Sequence, residues 1–316
     1  MRRRMLIGTG LLLAVAAVGL LRWRPPDVAA PAALSTAQPQ AAAAPAAQAA
    51  VAMQGPPAPP PRSVVSASGV PIRLIRSRRL VVPEPPYGPA YARLAPLARQ
   101  GDSTAQYLLG LLEYECRDVP GDAAALERDI ENTYATRRRA GWDVSDAADE
   151  EQTLRRRFAE CDGVPPEERG RYRDWLAAAA NAGLLEAQLD LPLHLPAGEY
   201  CQFIEDCTPE QRDKQQALEK EAVDYLGRAR DGGSAMALWT FGAWYAEGDV
   251  LPQDNVQAYA YFSALAQVFA AAGEARRFDA ILADLGSRLR PADLAQAQAQ
   301  MRQILSNPNC CVLGPD

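Results

Sequence analysis

Histidine is nearly absent from this chain: His194 is the single one in 316 residues. A Ser-His-Asp or Cys-His arrangement would have to use it, yet it sits in the apolar stretch Leu191-Pro-Leu-His-Leu-Pro196, where packing suits it better than catalysis. One histidine also leaves little for zinc unless cysteines supply the ligands. Cys201 and Cys207 are separated by five residues, against roughly two to four in a zinc-binding half-site. Lysine is scarce as well, with only Lys214 and Lys220, so nearly every cation is an arginine. A phosphate-cradling glycine loop and a nucleophile elbow are both missing. The carboxylate groupings Glu127/Asp129 and Asp149-Glu150-Glu151 stand close to the runs Arg137-Arg138-Arg139 and Arg155-Arg156-Arg157, as solvated, salt-bridged helix faces do. No catalytic residue, cofactor site or metal site is expected, nor a small-molecule substrate.

Charge is unevenly spread. Ten of the 33 basic residues and two of the 39 acidic ones precede residue 91, which leaves 23 against 37 and a net charge of −14 from there on. A surface this acidic repels nucleic acid. Residues 25–62 hold ten prolines among alanine runs, too little apolar side chain for a core, and read as a disordered linker. Fully extended it would reach ~120 Å; as a flexible coil it would average ~30–35 Å.

Ahead of the linker, Met1-Arg-Arg-Arg-Met5 leads into an uncharged apolar run ending at Leu21, closed by Arg22-Trp23-Arg24 where a cleavage site would need small residues. Residues 1–24 are therefore expected to form an uncleaved signal anchor, a single inner-membrane helix; a cleaved signal peptide is the alternative. All six cysteines (Cys116, Cys161, Cys201, Cys207, Cys310, Cys311) lie downstream. In an exported chain that even number favours disulfides and a periplasmic domain. The preferred pairs are Cys116 with Cys161 and Cys201 with Cys207. The adjacent Cys310 and Cys311 are left as a vicinal disulfide, a separate pairing, a bridge to another chain, or thiols.

The strongest signal is self-similarity. Leu94 onward reads LAPLARQGDSTAQYLLGLLEY and Leu226 onward LGRARDGGSAMALWTFGAWYAEG, which aligns Gly101 with Gly233, Ala105 with Ala237 and Gly110 with Gly242. A third copy, Leu176 to Gln188, keeps the frame and breaks at Pro192. Gly101 and Gly183 stand 82 positions apart, read as two periods with one copy unrecognisable. After Tyr245 comes Gly248-Asp-Val-Leu-Pro-Gln-Asp254, a turn whose Asp254 can cap the next helix. The stretch Ala235–Ala266, with its A-x-A, Phe241-Gly242, Tyr245 and G-x-x-x-P-Q-D turn, resembles the Sel1-like repeat family, relatives of the tetratricopeptide class. Departures are Glu113 at the place of Tyr245, and no glycine-rich turn after it. The segment from Pro291 resembles the helix that closes such arrays.

The resemblance implies an all-α fold: an α/α solenoid of helix-turn-helix repeats over residues 91–306, a basic extended segment at 63–90, and a cysteine-containing tail at 307–316. Ala123–Arg139 and Asp146–Glu160 read as further helices, the second capped by Ser145. Thr208-Pro-Glu-Gln211 is a capping box opening a helix towards Arg230. A strand is expected only within Val70–Val82. The segment Ile72–Arg79, basic with interleaved apolar residues, is expected to dock on the acidic solenoid. Solenoids of this kind hold protein or peptide partners on a concave face, and Tyr107, Trp239, Trp244 and Glu247 are the partner-binding candidates. The expected function is a membrane-tethered periplasmic scaffold. The rival readings are a redox or metal-handling protein using Cys310 and Cys311, an envelope-polymer hydrolase with unrecognised carboxylates, and a plain structural spacer.

Overall fold

The computed structural model describes residues 58–194 and 207–314. The expected anchor (1–24), nearly all of the linker and Cys201 lie outside the described residues. Among the described residues no helix is long and apolar enough to cross a membrane.

Among the described residues eleven α-helices and three short strands follow one another. Helix α1 (Gly88–Arg99) turns through Gly101 into α2 (Ser103–Cys116), whose first turn is capped by Asp102 accepting from the Ala105 N–H at 2.7 Å. Next come α3 (Ala123–Ala140), α4 (Ser145–Glu160), α5 (Tyr172–Asn181) and the short α6 (Leu185–Asp190), which ends in a 3-10 turn at Leu191–Leu193 where Pro192 stops it. Helix α7 (Pro209–Asp231) opens on the Thr208/Gln211 capping box, α8 (Ala235–Glu247) on Ser234 and α9 (Asn255–Ala271) on Asp254. Helices α10 (Asp279–Ser287) and α11 (Pro291–Leu305) finish the array. The Ser145 cap does not form. Ser145 is the first helical residue, and its N–H instead donates to Asp143 Oδ1 at 2.9 Å.

Outside α3 and α4, each helix packs on its neighbours along the chain: α1 on α2, α2 on α5, α5 on α6, α6 on α7, α7 on α8, α8 on α9, and α9 on α10 and α11. Contact limited to near neighbours is the one-dimensional pattern of a helical repeat array. The 82-residue gap is resolved differently from the expectation. There is one period there, not two, because α2 packs directly on α5, while α3 and α4 form an inserted antiparallel hairpin that packs mainly on itself. Its apolar stripe is correspondingly thin, with only Leu126 and Ile130 of α3 and Ala147 of α4 buried.

Small residues set the two principal crossings. A Cβ added at Gly110 would lie 2.8 Å from Leu176 Cγ and 3.0 Å from the Tyr172 carbonyl oxygen. At Gly242 it would meet the Phe262 ring at 3.1 Å. Leu108, Leu109, Leu112 and Leu176 fill the first core, and Phe241, Phe262, Leu265 and Val268 the second. Gly110→Ala forces α2 and α5 apart. Set against alanine's helix preference of about 1 kcal/mol, the overpacking should still lower stability by ~1–2 kcal/mol, seen as a lower urea midpoint with an unchanged slope.

The fold is mostly helical rather than all-α. Strand β1 (Arg62–Val65) pairs antiparallel with β2 (Pro71–Arg76), and β2 pairs parallel with β3 (Val312–Leu313). Ile72 and Leu74 on one face of β2 are buried in the second core, and Arg73 between them is exposed. This corrects how the basic segment docks: apolar burial and backbone pairing with the tail hold it, together with the Ser68 N–H donated to Gln267 Oε1 of α9 at 2.9 Å. The tail is equally built in, since Leu313 is 2% exposed and Val312 N–H donates to the Gly233 carbonyl.

Candidate functional site

The partner-binding candidates come out differently. Tyr107 is buried at 6% exposure, and its hydroxyl donates to Asp190 Oδ2 at 2.5 Å. Burial and the neighbouring Asp190 hold the phenol well above its ordinary range. It is a tie between α2 and α6, and that removes it from the candidate surface. Trp239 and Trp244 are half-buried on α8, each with one side on the second core; Trp244 meets Phe241 edge-to-face at 5.5 Å. Glu247 is exposed at the end of the same helix. Three of the four candidates therefore lie together on α8 and its C-terminus.

The Gly110 and Gly242 crossings align the two helix pairs. On that frame Leu176 matches Phe262, Glu113 matches Tyr245, and Trp175 matches Tyr261. In the second pair Tyr245 and Tyr261 stack, with ring centres 5.9 Å apart and 18° between planes. In the first pair the stack is replaced by a hydrogen bond from Trp175 Nε1 to Glu113 Oε1 at 3.1 Å. Glu113 is wholly buried and its Oε2 has no hydrogen-bond partner. Burial, aided by Glu168 and opposed by the Trp175 bond, Arg171 and Arg99, pushes its carboxyl up to about 8.

His194 is a packing residue. Its Nδ1 lies 2.8 Å from the Asp190 carbonyl oxygen, its ring stands edge-on to Tyr114 at 4.3 Å, and its own carbonyl accepts from Arg173. Of the flagged carboxylates, Glu127, Glu150 and Glu151 are paired on the hairpin surface: Arg155 with Glu127 at 2.7 Å and Glu151 at 2.9 Å, and Arg137 with Glu150 and with Asp146. Among the described residues no three His, Cys, Asp or Glu side chains gather as a metal site.

Cys116 is joined to Cys161, and Cys310 to Cys311. Cys207 is also disulfide-bonded, while Cys201 lies outside the described residues. The first disulfide closes the neck of the inserted hairpin, and beside it sits Arg169, which sequence reasoning missed. This side chain is 6% exposed and donates to the carbonyls of Val119, Pro120, Cys161 and Val164 at 2.9–3.3 Å. A signal for it was present: Cys116-Arg-Asp-Val-Pro120 and Cys161-Asp-Gly-Val-Pro165 are two copies of Cys-x-x-Val-Pro, and Arg169 draws its four acceptors from them.

The chain matches no family model and no curated protein. Among solved structures it is similar to a protective antigen present in uropathogenic Escherichia coli strains that displays an SLR fold, at 18% identity with a TM-score of 0.25. The match covers 70% of this chain and 49% of the other, so the chain spans about half the length of that structure. A likeness of this size assigns neither fold nor function; what stands on geometry alone is a helical repeat array with two half-buried tryptophans, Trp239 and Trp244, on α8.

Proposed function

We propose that this chain is a Sel1-like repeat scaffold, tethered to the inner membrane by its N-terminal apolar run, whose periplasmic domain holds a protein or peptide partner without catalysing a reaction. The observation that carries the reading is the half-buried pair Trp239 and Trp244 beside exposed Glu247 on a repeat helix. Large aromatic faces left partly open on a rigid helix are the commonest anchors for a partner. The disulfides support an oxidising compartment, and the excess of acid from residue 91 onward would set orientation and encounter rate more than affinity.

In-cell crosslinking of the full chain should capture a specific envelope protein, and a Trp239→Ala/Trp244→Ala variant of unchanged helix content should lose it. Capture of the same proteins by both chains would move binding off α8, and capture of none would sink the scaffold reading in favour of a spacer.

A further inference from the structure

A cavity of about 330 Å³ opens between the C-terminus of α7, the start of α8, α9 and α11, at the small end of ligand-sized pockets, about 300–1,000 Å³. Its formation depends on the tail: Gly233 takes a positive φ of 88°, and any side chain there would run into the Asn309 carbonyl. Cys310 thus closes one wall, and Leu238 and Ile304 supply apolar surface. Helix α7 is already satisfied at this end, because Asn307 and Asn309 both donate to the Asp231 carbonyl, at 3.1 and 3.0 Å.

What is left without a protein partner is a set of carboxamides, half-buried at Gln257 and Gln300 and exposed at Gln303. Gln257 of α9 and Gln300 and Gln303 of α11 line the cavity, and none of the three side chains has a hydrogen-bond partner among the described residues. Gln300 Oε1 is buried as well, an acceptor without a donor, a condition that disfavours the empty pocket. The only charges in the lining, Arg230 and Asp231, are paired with each other at 2.8 Å, so neither a cation nor an anion is favoured. The one aromatic ring, Tyr261, has its face covered by Phe241 in a stack at 5.8 Å, and its hydroxyl accepts from Arg230 at 3.4 Å. With Tyr261 only 6% exposed, little ring surface is offered to a sugar.

Neutral ligands with alternating N–H donors and C=O acceptors remain. A glutamine carboxamide is the side-chain equivalent of a peptide group and can pair with one reciprocally, donor to acceptor on both sides. Gln300 and Gln303 are one turn apart on α11, about 5–6 Å between their Cβ atoms. Same-side groups of an extended chain recur at about 6.6 Å, within side-chain adjustment. We propose that this cavity binds the main chain of an extended, uncharged peptide segment through Gln257, Gln300 and Gln303, with Leu238 and Ile304 beneath its side chains. The proposal rests on the scaffold reading and adds the chemistry of what is held.

The test is photocrosslinking of the full chain in detergent with a pool of end-blocked, uncharged hexapeptides carrying one benzophenone, followed by mass-spectrometric mapping. Labels should fall on α9 and α11 around Tyr261 and Ile304. A Gln257→Met/Gln300→Met/Gln303→Met variant, of similar shape and without the amides, should lose about tenfold or more of that labelling. The single change at exposed Gln303 should lose part of it with the unfolding midpoint unchanged, which separates binding from folding. Labelling that persists in the triple variant overturns the proposal, as does competition by chitotriose equal to that by unlabelled peptide. Labels confined to Trp239 and Trp244 also overturn it, while leaving the scaffold reading standing.

Discussion

Replacing Glu113 with glutamine should leave stability nearly unchanged at pH 5 and raise it at pH 8 by a few kcal/mol. In the fold the Glu113 carboxyl titrates at about 8, against an ordinary 4.5 in the unfolded chain. Between those values the folded protein keeps a proton that the unfolded chain has released. Stability from this group is therefore fully present below about pH 4.5, falls as pH rises, and levels off above about 8. Glutamine retains an acceptor for the Trp175 N–H and places an N–H where the protonated acid has its O–H, so the unpartnered position at Oε2 is common to both chains. The amide does not titrate. All other groups, including Glu168, Arg171 and Arg99 around the site, cancel in the comparison. Urea unfolding of both chains at pH 5, 6.5 and 8 measures the difference, which should widen steadily with pH. Parallel stability curves would mean that the carboxyl is already ionised in the fold and that the buried environment tolerates its charge. Glu113→Tyr, which restores the residue type of the other repeat, should be worse than glutamine, because Trp175 is placed for a hydrogen bond rather than for the stack that Tyr261 makes with Tyr245.

The array was legible where the sequence repeats a steric requirement. Gly110 and Gly242 stand in one register because two helix pairs are closed in the same way, by a large side chain seated against a bare backbone, and Gly101 and Gly233 because the turn into each following helix takes a positive φ. The caps at Thr208 and Asp254 were legible because their bonds reach only a few residues. What failed were features set by distant contacts. Tyr107 shares its register with Trp239, yet the two differ in exposure because Asp190, 83 residues away, takes the Tyr107 hydroxyl. The strand expected within Val70–Val82 forms as β2, but its partner at the far end of the chain was beyond any local pattern. The inserted hairpin imitated a worn repeat in length and helical pattern. Its thin apolar stripe, against dense charge on both helices, was the physical sign that it sits outside the array. On α8 the residue types were legible and their availability was not: Trp239 and Trp244 share the core and the surface, and packing against the second core, for Trp244 against Phe241, decides how much of each ring remains open.

Arg169→Ala should be the most damaging single change near the hairpin, lowering stability by ~3 kcal/mol or more. The guanidinium is a fork of fixed geometry, and here five hydrogen bonds from it reach four carbonyls on the two strands of the neck, one after α2 and one after α4. Each bond has a charged donor, and none of the acceptors is a carboxylate. Burial lowers the Arg169 pKa, so the fold spends stability to keep that charge inside. Removing the side chain leaves the carbonyls of Val119, Pro120, Cys161 and Val164 without their donor, next to a cavity of about 300 Å³ that Arg169 itself lines with Val164, Phe158 and Pro166. Water entering from that side would recover part of the loss, which keeps the effect below what five lost bonds would sum to. Lysine has a charge but no fork; three donors on a flexible stem cannot span both strands, so Arg169→Lys should regain less than half of what alanine loses. Because the Cys116–Cys161 disulfide still ties the neck, the damage should be local first. Limited proteolysis of the alanine variant should cut within residues 117–171 while α7 to α11 stay intact, and reduction with Cys116→Ser added should extend cleavage into α2 and α5. A loss under ~1 kcal/mol, or uniform cleavage along the chain, would show that packing of Phe158 and Val164 holds the neck and that Arg169 only fills it.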